Sequence, residues 1–266
     1  MASVPHKDHP VPSPPALPAA VSYRSLRGRR VVITGGATGI GAAMAGAFAA
    51  QGCNVHVLDI QHEAGGLLAD TLPHTAYHAC DLRDVAVLRR TVRDIEGIAG
   101  GIDVLVNNAA SDERHAFDEV EPEQWRDRLA VNLDHQFFAT QAVAQGMRAR
   151  ARGSIILFSS TSWIKGRPGM VGYTTAKAAV IGLTKTLARE LGSDGVRVNC
   201  IVPGAIVTER QLGLWRTPEM EAEFMASQAL KLRLQASHVA SVALFLASDE
   251  AAGCTGAQFV VDAGLT

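Results

Sequence analysis

The sequence predicts an α/β domain: a doubly wound, parallel, seven-stranded sheet with helices on both faces. Three observations predict it. Short apolar runs recur along the chain, separated by segments whose apolar residues follow helical spacing. Runs such as Val104-Leu105-Val106 are apolar without alternation, which suits strands covered on both faces. The first run opens into Thr34-Gly35-Gly36-Ala37-Thr38-Gly39-Ile40-Gly41, a glycine turn between a strand and an Ala-rich helix. Strands alternating with helices through right-handed crossovers give such a sheet, and 266 residues suit one domain of this kind.

Each element has its own signal. Val31-Val32-Ile33 is the first strand, and Ala42 to Ala50 continues the helix opened by the glycine turn. Gly52 suits its C-terminal cap. Asn54 to Asp59 is strand two, Glu63 to Leu72 a helix, and His74 to Cys80 strand three, ending at Asp81-Leu82. Val85 to Ile98 is a helix by spacing, broken at Gly100-Gly101; Asp103 to Asn107 is strand four. One long helix is predicted from Pro122 to about Ala149, with Pro122 in its first turn. Ser154 to Ser159 is strand five, followed by a loop from Ser160 to Gly169 and a helix from Val171 to Leu191. Val196 to Ile201 is strand six, and Pro203-Gly204 turns away from it. Residues 205–236 predict one or two short helices forming a flap. Ser237 is expected to cap a last helix to Ala247, before strand seven, Gln258 to Val261. The domain thus spans residues 23–266, behind a Pro-rich segment, residues 1–22, expected to be a mobile tail. His6 and His9 read there as solvated residues rather than metal ligands.

Composition removes several classes of function. Formal net charge is −1 with no block of like charges, which argues against nucleic acid or an anionic membrane as partner. No apolar run reaches the roughly 18 residues of a membrane span. Met1 to Ala20 holds six prolines and no apolar core, so it does not read as a secretory signal. Cys53, Cys80, Cys200 and Cys254 stand singly, without metal-ligand spacing, and predict buried thiols, no metal and a reducing, cytoplasmic location.

The glycine turn carries the first functional expectation. Strand, glycine turn and helix form a cradle for a dinucleotide, the Rossmann fold. Glycine lets the backbone lie close to the pyrophosphate, and the free N–H groups at the helix start face its charge. Gly35, Thr38, Gly39, Ile40 and Gly41 are the expected contacts. Asp59 ends strand two, 18 residues after Gly41, where a carboxylate accepts from ribose hydroxyls. No Arg or Lys occurs from Thr34 to Gly41 or from Asp59 to Leu72 to offset its repulsion of a 2′-phosphate. The expected cofactor is therefore NAD rather than NADP.

Tyr173 and Lys177 are four apart on one predicted helix and share a face. Such pairs are commonly solvated helix surface. Here a proton-handling role is favoured by context: a phenol with a pKa of about 10 becomes a base near neutrality if an ammonium stabilises the phenolate. Ser160 lies 13 residues before Tyr173, at the end of strand five, placed to donate to a substrate oxygen. Asn132 sits in an otherwise apolar helix, where a buried amide needs partners.

These pieces, with Asp81, Asn107-Asn108-Ala109-Ala110, Pro203-Gly204 and Thr208, resemble the short-chain dehydrogenase/reductase family over residues 28–264. The resemblance implies Tyr173 as general acid/base and Lys177 as the group lowering its pKa and binding the nicotinamide ribose. It implies that Ser160 holds the reacting oxygen and Asn132 a relay water. It further implies Asn107 and Ala109 along the cofactor channel, Asp81 beside the adenine with Leu82 next to it, and Thr208 at the nicotinamide amide past Pro203 and Gly204. Ala110 stands where the family frequently has glycine. Ser111-Asp112-Glu113-Arg114-His115, Ser162-Trp163, Thr208 to Gln211, Trp215 to Glu219 and the last residues through Asp262-Ala263-Gly264 resemble, more closely, the sugar 1-dehydrogenases of that family, of the D-xylose 1-dehydrogenase type. That group oxidises an aldose at C1 to its lactone. The chain ends Leu265-Thr266 where such proteins often carry Trp and a basic residue.

A sugar pocket needs donors and acceptors at fixed places, because an unpaired buried polar group costs roughly 1–3 kcal/mol. Asp112, Arg114 and His115 follow the Asn107-Ala110 turn and are expected there, with Trp163 able to stack on the sugar's C–H face. Trp163 also reads as core or subunit interface, and Arg114-His115 as a solvated loop pair. The competing enzyme is a reductase of a ketone or β-ketoacyl thioester; the competing class is a non-catalytic nucleotide-binding scaffold, which usually lacks one of the three groups present here. Finally, Phe137, Phe138, Val143, Val180, Ile181 and Leu187 suggest apolar residues on more than one face of the two long helices, and so a homotetramer.

Overall fold

The structure is a computed structural model describing residues 21–209 and 217–266. The expected tail, with His6 and His9, lies outside the described residues except at its inner end, as does Trp215. Seven strands are present among the described residues: β1 (Arg30–Thr34), β2 (Asn54–Asp59), β3 (Thr75–Ala79), β4 (Val104–Asn107), β5 (Gly153–Phe158), β6 (Val196–Pro203) and β7 (Gln258–Val261). They form one parallel sheet in the order β3-β2-β1-β4-β5-β6-β7. The order reverses at β1, whose last residue, Thr34, pairs with Leu58 on one side and Asn107 on the other. A crevice at the carboxyl ends follows from that reversal.

Helices cover both faces. Between the strands run α1 (Gly39–Ala50), α2 (His62–Thr71), α3 (Val85–Ala99), α4 (Pro122–Leu129), α5 (His135–Ala149) and α6 (Val171–Gly192). After β6 come α7 (Pro218–Ser227) and α8 (Ala236–Ala247). The strands feed two cores by alternation. Val32, Leu105 and Ile155 join Leu88, Val143 and Val180 of α3, α5 and α6, while Val31, Ile33 and Ile156 join Met44, Phe48 and Val239 of α1 and α8. Both faces being apolar is what the unalternating strands require.

Three expectations need correcting. The long helix from Pro122 is not uniform: a π-turn, Ala130–Asp134, separates α4 from α5. Ser237 does not cap α8. Gln235 does, accepting from the third helical amide while His238 Nδ1 accepts from Gln235 N at 3.0 Å. A cap must precede the first turn, and Ser237 lies inside it, its hydroxyl buried without a partner. The doubled apolar face is mostly core: Val143, Val180 and Leu187 are buried, Phe138 and Ile181 pack against them, and Phe137 alone of the six is exposed, at 37%. Packing within the chain buries three of them and covers part of two more. Within the expected flap region the described helix is α7.

Candidate active site

The glycine turn lies at the sheet's switch point, and two of its glycines take left-handed backbone, Gly35 at φ +62° and Gly39 at φ +56°. A Cβ on Gly35 would stand 2.6 Å from Ala109 Cα, and one on Gly41 would strike the Gly35 carbonyl. Asn108 ties the turn to β4, its Nδ2 donating to Gly35 O at 2.7 Å and Thr34 O at 3.2 Å. Thr38 makes no side-chain cap, so the first amides of α1 are left for an anion. Asp59, 6% exposed, accepts from Ala37 N at 3.0 Å and Gln61 N at 3.1 Å, which fastens the end of β2 to the turn. Thr208 Cγ2 lies 3.5 Å from the place a Cβ on Gly39 would take. These residues fit a dinucleotide: the cradle exists because side chains are absent from it.

The outer expectations are placed differently. Asp81 is held by Arg83, whose Nη2 lies 2.7 Å from Oδ2, and Arg83 also pairs with Asp127 at 2.9 Å. That hydrogen bond keeps the Asp81 carboxyl below its ordinary range despite partial burial. Leu82 is buried in the core. Asn107 does not present its amide to the channel. Its Nδ2 donates to Thr140 Oγ1 at 3.3 Å, turning the side chain towards α5, while Ala109 packs beneath Gly35.

One cleft at the carboxyl ends of β4, β5 and β6 is lined by Ser160, Tyr173 and Lys177 together with Ile40, Pro203 and Gly204. Tyr173 and Lys177 are one turn apart on α6. Gly172 allows α4 to pack close, since a Cβ there would stand 2.9 Å from Arg128 Cβ. Burial pushes the Tyr173 phenol up to about 12; hydrogen bonding from Ser160 opposes this, as does Arg114, while Asp112 adds to it. Burial also pushes Lys177 down to about 8, against Cys200 and Asp112. The expected depression of the phenol by Lys177 is absent in this arrangement. The ammonium donates to Phe158 O at 2.9 Å and lies over the phenol ring, 5.6 Å from its centre. Ser160 Oγ donates to Ser162 Oγ at 3.0 Å.

Asn132 sits in the π-turn, fully buried. Its Nδ2 donates to Ser111 O at 3.0 Å and Arg128 O at 2.9 Å, and its Oδ1 accepts from Ser111 N at 3.0 Å. The amide thus clamps the strand β4 exit to the helix, with one acceptor site left over for the implied water. The widened turn is what points it there. His135, three residues on, is fully buried; burial, then Lys177, pushes its ring down to about 3 against the Val131 backbone, so it stays neutral.

Of the residues expected to meet substrate, Asp112 and Arg114 line the cleft. Trp163 and His115 do not. Trp163 Nε1 donates to Ser159 Oγ at 3.1 Å, which draws the indole behind the strand end. His115 is joined to the β5–α6 loop by its backbone, N to Gly169 O at 3.0 Å. Glu113 is drawn off by Arg128 at 2.6 Å. The cleft also takes Phe224 of α7, which the sequence offers either as a flap over substrate or as the flap's own packing, and Ser162, Lys165 and Arg167, which the sequence reading did not single out as binding residues. Their signal was a polar loop directly after a catalytic strand.

A family model described as enoyl-(acyl carrier protein) reductase matches residues 35–266. The chain is 47% identical over 246 residues to the D-xylose 1-dehydrogenase of Caulobacter vibrioides, covering 91% of this chain and 97% of that one. It is 44% identical over 250 residues to a protein of Rhizobium meliloti named as a probable galactose dehydrogenase, with the same coverage, 91% and 97%. Among solved structures, a 3-oxoacyl-[acyl-carrier protein] reductase of Brucella melitensis with bound NAD is similar at TM-score 0.83 and 33% identity, covering 91% of this chain and 93% of that one. With the cradle at the switch point and a serine, tyrosine and lysine in one cleft beside it, these similarities make the chain a nicotinamide-dependent oxidoreductase acting on CH–OH groups, and it belongs to the short-chain dehydrogenase/reductase family.

Proposed function

We propose that the protein is an NAD-dependent aldose 1-dehydrogenase, oxidising a free sugar at C1 to its lactone. The observation that carries this reading is one cleft in which Ser160, Tyr173 and Lys177 share their space with the charged pair Asp112 and Arg114. A wall of that kind suits a ligand made of hydroxyls, and the similarity to the xylose and galactose enzymes supports it. NAD, held by the Gly35–Gly41 turn and Asp59, would supply the acceptor for the C1 hydride. Ser160 holds the anomeric oxygen and Tyr173 takes its proton. Lys177, drawn from Phe158 O towards the phenol, would lower a pKa that burial otherwise holds near 12. Asn132 keeps the Ser111 loop in place at the cleft wall. Selectivity for NAD rests on Asp59, whose carboxylate at the end of β2 repels a 2′-phosphate.

The test is NADH formation, at mildly alkaline pH, with D-xylose, L-arabinose, D-galactose, L-fucose and D-glucose. Turnover with NAD, and a lower kcat/KM with NADP, is the expected result. The reductase reading is favoured by the family-model description and by the acyl-carrier reductase neighbour. Brisk reduction of an acetoacetyl thioester with no aldose oxidised would establish it instead. Exposed Phe137 supports a homotetramer in solution, which light scattering at micromolar concentration tests.

A further inference from the structure

Arg167 is a charged residue of the cleft to which neither chemistry nor cofactor binding gives a role. It belongs to the loop between β5 and α6, where its backbone N donates to Ser162 O at 3.2 Å. From there the side chain reaches α7, and the guanidinium carbon lies 4.8 Å from the centre of the Phe224 ring. Loop and flap helix thus meet at the cleft wall, and this stack joins them. The guanidinium forms no ion pair among the described residues. Burial, then the charge of Arg114, disfavours its ionised form, and Glu223 alone opposes them.

Position follows from the lining of the cleft, to which Tyr173, Arg114 and Arg167 all contribute. Arg114 Nη1 donates to Pro168 O, next to Arg167 in the chain, at 3.4 Å, so the cleft reaches from Tyr173 to the loop that carries Arg167. A substrate whose C1 lies at Tyr173 extends its remaining carbons along that line. A guanidinium lying on an aromatic ring keeps its face covered while its N–H edge stays available in the plane. That edge is a rigid fork matched to two adjacent oxygens. Arginine half-buried with unpaired donors is costly unless a ligand supplies acceptors.

We propose that Arg167 is a specificity-determining residue, which lies on Phe224 to close the cleft and offers its N–H edge to a pair of neighbouring hydroxyls on the part of the sugar away from C1. The inference rests on the aldose reading. Phe224 acts through Arg167, as the surface that holds the guanidinium flat. A merely structural strut between loop and flap would affect turnover of every substrate alike, and that difference is what the experiment reads.

The experiment measures kcat and KM for the best aldose of the panel, for its 2-, 3- and 4-deoxy analogues, and for NAD, in the full-length enzyme and in Arg167→Met, Arg167→Lys, Phe224→Leu and the Met/Leu double variant. The KM for the parent sugar is expected to rise at least about tenfold in Arg167→Met, with the KM for NAD within about twofold. The wild-type enzyme should discriminate against one or two adjacent deoxy positions, and Arg167→Met should lose that discrimination. Arg167→Lys should recover only part of it, having the charge without the fork. Phe224→Leu should show a smaller loss, and the double variant no more loss than Arg167→Met. Unchanged discrimination among the deoxy sugars in Arg167→Met, or additive losses in the double variant, overturns the proposal while leaving the aldose reading intact. If Arg167→Met does not fold, the lysine and leucine variants carry the same comparison, and discrimination unchanged in both overturns it. A wild-type enzyme that oxidises no aldose overturns both.

Discussion

The cofactor cradle and the substrate end of the cleft are built by opposite means. The cradle is made of backbone: two left-handed glycines, a third whose Cβ would meet a carbonyl, and uncapped helix amides, all locked by Asn108 and Asp59. The substrate end is made of side chains that converge from the β4 exit, the β5–α6 loop and α7. A backbone site tolerates almost no substitution, whereas a side-chain site can be retuned one residue at a time. The lesson is that one fold keeps its hydride chemistry and changes its substrate, because the two are held by separable parts.

Four substitutions break or sharpen that contrast. Tyr173→Phe stands at the junction and has the largest effect, lowering kcat by about 10²–10⁴-fold or more. NADH binding, followed by fluorescence titration, should survive; turnover near that of the wild type would place the base elsewhere. Gly41→Ala should damage the backbone side alone. The added methyl runs into Gly35 O, and the KM for NAD should rise on the order of 100-fold, about 2.8 kcal/mol. A KM for the sugar that moves as much as that for NAD would show the two parts to be one.

Lys177→Met tests what the junction costs. The ammonium is 1% exposed and its pKa is lowered to about 8 by burial, so its charged form is disfavoured in the folded state. From an unfolded value near 10.5 this amounts to about 3 kcal/mol. The sign is that of a lysine with a lowered folded pKa. The penalty is full below about pH 8 and fades as pH rises towards 10.5, where both states lose the proton. The variant should be inactive yet melt several degrees higher at pH 7, with the gain shrinking at alkaline pH; a lower Tm at neutrality would count against it. Arg114→Ala should have the smallest effect, a several-fold rise in the sugar's KM with that for NAD nearly unchanged. Equal changes in both would remove the separation on the substrate side.

The sequence by itself determined the parts whose physics is local. Glycine at positions 35, 39 and 41 after an apolar strand admits few structures, and Tyr173 and Lys177 share a face because four residues make about one helical turn. All seven strands and the helices between them were readable for the same reason, from apolar runs and spacing. Tertiary structure decided the rest. The π-turn at Ala130–Asp134 that aims Asn132 at Ser111 has no spacing signal, since it depends on what α4 and α5 pack against. The cap of α8 went to Gln235 because His238 could reach back to it. Asn107 turned to Thr140 and Trp163 to Ser159 because buried donors take the nearest acceptor, not the one a linear reading assigns. Arg167 and Phe224 meet although 57 positions separate them in the chain, and the Lys177 ammonium is bound by the Phe158 carbonyl, 19 positions away. Contacts of that range come from the closing of the sheet and its helices, and no local pattern encodes them.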